Sequence, residues 1–167
     1  MARPVRLLGV SYTGPAAYFV TTCTLGRVKA FEDLKFGRHA AAALLTHARD
    51  SHFAVSAYCL MPDHAHVLLT GTRDDASLRH LVAGWKQATG FQWSRRGCGP
   101  LWQKGYWERV LRDDEAILSV ARYVIENPVR AKIVAQAQQY PLLGSGEYTI
   151  EQILQAVQMD WRRRWRH

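Results

Sequence analysis

The chain has 167 residues, with 22 Lys and Arg against 14 Asp and Glu, and a formal net charge of +8. That length suits one domain with a buried two-layer core, and the basic balance favours a polyanionic partner. No stretch approaches the roughly twenty apolar residues of a membrane span, and the N-terminus lacks the apolar region of a secretory leader. Three scattered cysteines, Cys23, Cys59 and Cys98, do not form a disulfide framework, so a soluble cytoplasmic protein without a membrane partner is expected.

In chain order, residues 1–14 read as a basic lead. Tyr18 to Thr24 alternates aromatic, β-branched and small residues as a strand, and the Ala- and Leu-rich run Phe36 to Arg49 reads as a helix. Phe53 to Leu60 is a second strand. A turn at Pro62-Asp63 feeds a third, His64 to Thr70, which should pair antiparallel with the second. A helix starting near Asp75 or Ser77 carries Leu78, Leu81, Val82, Trp85 and Thr89 on one side, and residues 97–100, Gly-Cys-Gly-Pro, end it. Tyr106 to Leu111 is a fourth strand.

Asp113, Asp114 and Glu115 then open another helix, where their charge complements the positive N-terminal end and Asp113 can cap backbone amides. It runs through Ile117, Leu118, Val120, Ala121, Val124 and Ile125 until Pro128, which disfavours helical geometry at the residue before it. A last helix is capped by Thr149 and Gln152, has an apolar stripe of Ile150, Ile153, Leu154, Val157 and Trp161, and ends in arginines interleaved with tryptophans. The order strand, helix, strand, strand, helix, strand matches the ferredoxin-like split motif. The expected fold is therefore α+β: a ferredoxin-like split βαβ sandwich with an antiparallel sheet, plus C-terminal helices. One domain spans residues 1–167, with a core of about 15–141 and a basic helical extension at 142–167.

Two motifs carry chemistry. In His64-Ala65-His66 the strand alternation points both imidazoles the same way, able to converge on one divalent metal. The bland alternative is a half-exposed strand with two polar positions on its wet face. On the fourth-strand-following helix, Tyr123 and Asn127 stand four residues apart and share a face. Here too an ordinary role is open, Asn as a helix cap and Tyr with its ring packed and its hydroxyl wet. Together the motifs suggest a metal that polarises a phosphodiester while the phenol attacks phosphorus and expels a 3′ oxygen.

The chain resembles the IS200-like single-strand transposases of the His-hydrophobic-His superfamily, most closely the REP-associated tyrosine transposases. The resemblance rests on Tyr18 to Thr22 (Tyr-Phe-Val-Thr-Thr), Tyr58 to Leu69 (Tyr-Cys-Leu-Met-Pro-Asp-His-Ala-His-Val-Leu-Leu), Leu101 to Arg112 (Leu-Trp-Gln-Lys-Gly-Tyr-Trp-Glu-Arg-Val-Leu-Arg) and Ala121 to Val134, spanning about Tyr18 to Pro141. It implies that His64, His66 and Asn127 ligate Mg²⁺ or Mn²⁺ and that Tyr123 is the single nucleophile, forming a 5′-phosphotyrosine. It also implies that the substrate is single-stranded DNA with hairpin or palindromic repeats, taken by a monomer or a homodimer. The family often carries a histidine where this chain has Arg109.

Six Trp and seven Tyr suit base stacking beside basic side chains. The DNA-binding candidates are Lys86, Arg95 and Arg96 on or after the second helix, Arg109, Arg122 and Arg130 near the tyrosine, and Arg162, Arg163 and Arg164 in the tail. Two other readings compete: a non-catalytic nucleic-acid-binding module on the same fold, and a small zinc-dependent hydrolase built on Cys59, His64 and His66.

Overall fold

The computed structural model describes residues 15–112 and 114–164. Among those residues, five strands and four α-helices follow in the order β1 (Ala17–Cys23), α1 (Leu34–Asp50), β2 (Phe53–Met61), β3 (His64–Gly71), α2 (Leu78–Ser94), β4 (Trp107–Leu111), α3 (Asp114–Arg130), β5 (Leu143–Gly144) and α4 (Ile150–Arg164). The sheet order is β4-β1-β3-β2-β5, and every neighbouring pair is antiparallel. Its first four strands have the split βαββαβ arrangement the sequence predicts.

Local chemistry explains where the first helices start. The Asp33 carboxylate accepts from the Phe36 amide to open α1, and the Ser77 hydroxyl accepts from His80 to open α2. The predicted stripe of α2, Leu78, Leu81, Val82, Trp85 and Thr89, is the set of residues that α2 buries. Trp85 fits a dry core because its indole N–H donates to the Ala40 carbonyl at 2.9 Å, tying α2 to α1.

Both sheet faces are covered. In β3, Ala65, Val67 and Leu69 are buried on one face, and His66 and Leu68 on the other. The second face meets α3, whose Tyr123 ring touches Phe19 of β1 and His66 of β3. α3 buries Val120, Ala121, Val124 and Ile125, and α4 packs on it with Ile153 buried. The expected capping box of α4 is present: Thr149 N donates to Gln152 Oε1 at 2.8 Å, and Gln152 N donates to Thr149 Oγ1 at 3.2 Å. The proposed Asp113 cap lies outside the described residues.

Two features differ from the sequence reading. α3 does not stop before Pro128 but continues to Arg130. A proline near a helix end removes a single ladder bond, and the backbone around it is otherwise satisfied. Ala131 N donates to Asn127 O, and Ile133 N to Pro128 O, both at 2.9 Å, before Lys132 turns the chain at φ 58°. Asn127 is thus inside the helix and does not cap it.

The second difference is β5, which has no strand signal of its own. It is held from outside: Leu60 N donates to Leu142 O at 3.0 Å, and the buried Tyr140 hydroxyl donates to Leu60 O at 2.7 Å. Leu142 and Leu143 are buried, so the segment after residue 141 begins as part of the sheet.

Candidate active site

Strand register assembles the site. Trp107 of β4 pairs with Thr21 of β1, Thr21 with His66 of β3, and His66 with Cys59 of β2. Directly opposed residues of antiparallel strands share a face, so these four form one row across the sheet. His64 lies two residues from His66 on the same face, beside Cys23 and Met61.

The sequence-predicted histidines and tyrosine do come together. The His64 and His66 ring centroids are 4.8 Å apart, and the Tyr123 ring centroid is 5.4 Å from that of His66 within the same chain. Tyr123 is 37% exposed, whereas His66 is 6% exposed, so the phenol covers a buried imidazole from the solvent side. Phe19 supports the group, 5.5 Å from His66 and 5.7 Å edge-on from Tyr123. Hydrogen bonds occupy Nδ1 of both imidazoles: His64 lies 2.6 Å from Asp63 Oδ1, and His66 lies 2.8 Å from Thr21 Oγ1. Arg27 holds the other Asp63 oxygen at 2.9 Å.

Burial first, then His64 and the Arg27 cation, push the His66 imidazole down from 6.5 to about 3. His66 is therefore a neutral base at neutral pH. Because its folded value is depressed, the stability it contributes is present above about 6.5 and is lost as pH falls toward about 3, where the unfolded chain binds a proton that the folded one refuses. Denaturant unfolding of the metal-free protein between pH 7.5 and 4 is expected to show this loss, and His66→Asn is expected to flatten it. An unchanged slope in His66→Asn would remove His66 as its source.

The two imidazoles, each engaged through Nδ1, are a pair whose Nε2 atoms could hold a divalent ion, and Asn127 stands one helical turn beyond Tyr123 on α3. Asn127 Nδ2 donates to the Tyr123 carbonyl at 3.1 Å, which leaves Oδ1 as the atom able to ligate. The zinc alternative finds no support at Cys59. That thiol is fully buried, is pushed up to about 12 by burial, and donates to the Met61 sulfur at 3.6 Å. Among the described residues no three His, Cys, Asp or Glu side chains are grouped to hold a metal.

The basic candidates separate. Arg130 stacks its guanidinium 4.9 Å over the Tyr123 ring, beside the phenol. Arg109 is exposed on β4 opposite Phe19, on the face of the site. Arg122 is exposed and paired with Glu126 at 2.8 Å. Arg95 lies 5.9 Å over the exposed Phe91 ring. Arg96 bonds Asp33 at 2.7 Å and stacks on Phe36 and Trp93, and so joins the end of α2 to the start of α1.

Lys86 is turned inward. Its ammonium donates to Gln103 O at 2.7 Å and Gly105 O at 2.6 Å, and burial pushes it down to about 8. It clamps the loop entering β4, where Gly105 takes φ 78°. Arg162, Arg163 and Arg164 continue α4, but their side chains, like all of residues 165–167, lie outside what is described.

Sequence reasoning missed Thr21, Arg27 and Asp63, and it missed Trp107, which is 44% exposed and meets Phe19 edge-on at 5.4 Å. Trp107 had a signal, since its strand parity puts it on the histidine face once β4 is known to flank β1.

This arrangement defines a His-hydrophobic-His domain with a helical tyrosine on a ferredoxin-like sheet. The family model described as "Transposase IS200 like" matches residues 15–127, and the chain belongs to that family. A REP-associated tyrosine transposase of Escherichia coli (strain K12) is 27% identical over 101 residues, covering 59% of this chain and 58% of the relative. A Haemophilus influenzae protein whose name also includes REP-associated tyrosine transposase is 27% identical over 101 residues, covering 53% of this chain and 57% of its own. The chain thus matches less than two thirds of the length of either curated relative. A solved structure of a REP-associated tyrosine transposase bound to a REP hairpin has the same fold, with a TM-score of 0.69 and 22% identity over 86% of this chain and 82% of that one.

Proposed function

We propose that this chain is a metal-dependent single-stranded DNA endonuclease and strand transferase that forms a 5′-phosphotyrosine at Tyr123 and acts at REP-like palindromic or hairpin elements. The observation that carries this reading is the half-exposed Tyr123 ring lying 5.4 Å from the buried His66 ring of the same chain. The phenol oxygen attacks phosphorus, the bond from phosphorus to the 3′ oxygen breaks, and the released 3′ oxygen takes up a proton. A phenol holds its own proton at neutral pH, so that proton passes to water or a neighbour during attack. The ester conserves the bond, so the step can be reversed or the strand passed to another 3′ end.

His64 and His66, with the Asn127 amide oxygen, would hold Mg²⁺ or Mn²⁺, which supplies charge neutralisation at the phosphate. Imidazole ligands suit manganese better than magnesium. Arg130, stacked on the phenol ring, and Arg109, on the same sheet face opposite Phe19, would supply positive charge toward the phosphate. Because Tyr123 reaches His66 without a second copy, cleavage in cis is the simplest arrangement. The hairpin held by the structural relative supports the choice of DNA.

Trp107 would stack the base beside the scissile phosphate, since it is exposed, adjoins Phe19 and stands in the row that holds His66. Trp107→Ala is expected to weaken single-strand binding about 5- to 150-fold, from about 1–3 kcal/mol per stacked base, with Trp107→Phe retaining most of it. Fluorescence anisotropy on a labelled oligonucleotide checks this, and equal affinities would exclude the platform.

The function itself is tested by incubating the full chain with single-stranded hairpin oligonucleotides and Mn²⁺, followed by a denaturing gel. A protein band carrying DNA, absent with EDTA, is expected. Salt-sensitive binding with no adduct under either metal would favour the non-catalytic module instead.

A further inference from the structure

The Nδ1 atoms of both imidazoles are held by side chains that the chemistry above does not use. Asp63 is fixed from three directions. Its Oδ2 meets Arg27 Nε at 2.9 Å, and its carbonyl accepts from Thr24 N at 3.0 Å and from the Thr24 hydroxyl at 2.9 Å. Arg27 is set in turn by its left-handed backbone at φ 59°, following Gly26 at φ 63°, and its other branch donates to Cys23 Sγ at 2.9 Å. Thr24 is fully buried, so the brace rests on the core.

An ionised carboxylate only accepts hydrogen bonds, so the 2.6 Å contact requires a proton on His64 Nδ1. In the neutral ring the free lone pair is then on Nε2. His66 has no such compulsion, because the Thr21 hydroxyl 2.8 Å away can accept or donate. Only the accepting orientation leaves His66 Nε2 unprotonated.

We infer that Asp63, braced by Arg27, and Thr21 are positioning residues that lock His64 and His66 as Nδ1–H tautomers, leaving both Nε2 lone pairs for one shared divalent cation. This rests on the reading of His64 and His66 as metal ligands and names what prepares them. Outer partners of this kind fix ring orientation and ligand basicity, and their loss typically costs 10- to 100-fold in metal affinity.

The test is ¹⁵N-histidine NMR on the metal-free full chain at pH 8, with Mn²⁺ alone as titrant in parallel calorimetry. Wild type is expected to show both rings as Nδ1–H. Thr21→Val is expected to move His66 toward Nε2–H and to weaken Mn²⁺ binding 10- to 100-fold, with Thr21→Ser restoring both. Asp63→Ala is expected to do the same at His64 alone, whereas Asp63→Asn, which keeps an accepting oxygen, preserves the tautomer. An Nε2–H ring in wild type, or unchanged tautomers in Thr21→Val and Asp63→Ala, would overturn the inference. Wild type with both tautomers as assigned and no Mn²⁺ binding would instead contradict the metal-dependent function, leaving the tautomer lock standing.

Discussion

Tyr123→Phe is expected to abolish the covalent protein–DNA product while leaving single-strand affinity within about twofold. The substitution removes one oxygen and little else. The remaining ring keeps its edge-on contacts with Phe19 and His66 and its place under the Arg130 guanidinium. Tyr123 is exposed, so losing the hydroxyl should change folding stability by no more than about 0.5 kcal/mol. A denaturing gel and anisotropy on the same oligonucleotide separate chemistry from binding. An adduct retained in Tyr123→Phe would pass the nucleophile's role to another residue.

His64→Ala and His66→Ala are expected to reduce cleavage at least about a hundredfold under both Mg²⁺ and Mn²⁺, because the charge stabilisation a bound ion supplies is worth several kcal/mol. The two variants differ in their cost to the fold. His64 is partly exposed, and its removal frees Asp63 to pair with Arg27 alone. His66 is buried, so His66→Ala also opens a cavity and leaves the Thr21 hydroxyl without its partner, at about 1–3 kcal/mol. A thermal melt beside the cleavage assay keeps the effects apart. Cleavage unchanged in a folded His64→Ala protein would rule out the metal assignment.

Periodicity made much of this molecule legible. The apolar stripe of α2 predicts its buried face, and strand alternation places His64 and His66 on one side of β3, as found. The Thr149 and Gln152 capping box reads directly from four residues. These features are local, set by geometry within a single element.

What escaped the sequence depends on contacts between elements. β5 is two residues long and forms because Leu142 and Tyr140 bond to Leu60 of β2, a partner some eighty positions away. Pro128 stays helical because its neighbours pack and the chain beyond it satisfies the carbonyls. Lys86 reads as a surface cation on α2, yet the carbonyls of Gln103 and Gly105 draw it inward. Thr21 and Asp63 are ordinary strand and turn residues until the sheet register brings Thr21 beside His66 and the Pro62-Asp63 turn directs Asp63 onto His64.

The most direct measurement is mass spectrometry of the protein–DNA product after protease and nuclease digestion. The expected result is a nucleotide joined through its 5′ phosphate to Tyr123, formed with Mn²⁺ and missing with EDTA. A nucleotide mapped to any other residue, or cleaved DNA with no modified peptide, would contradict it.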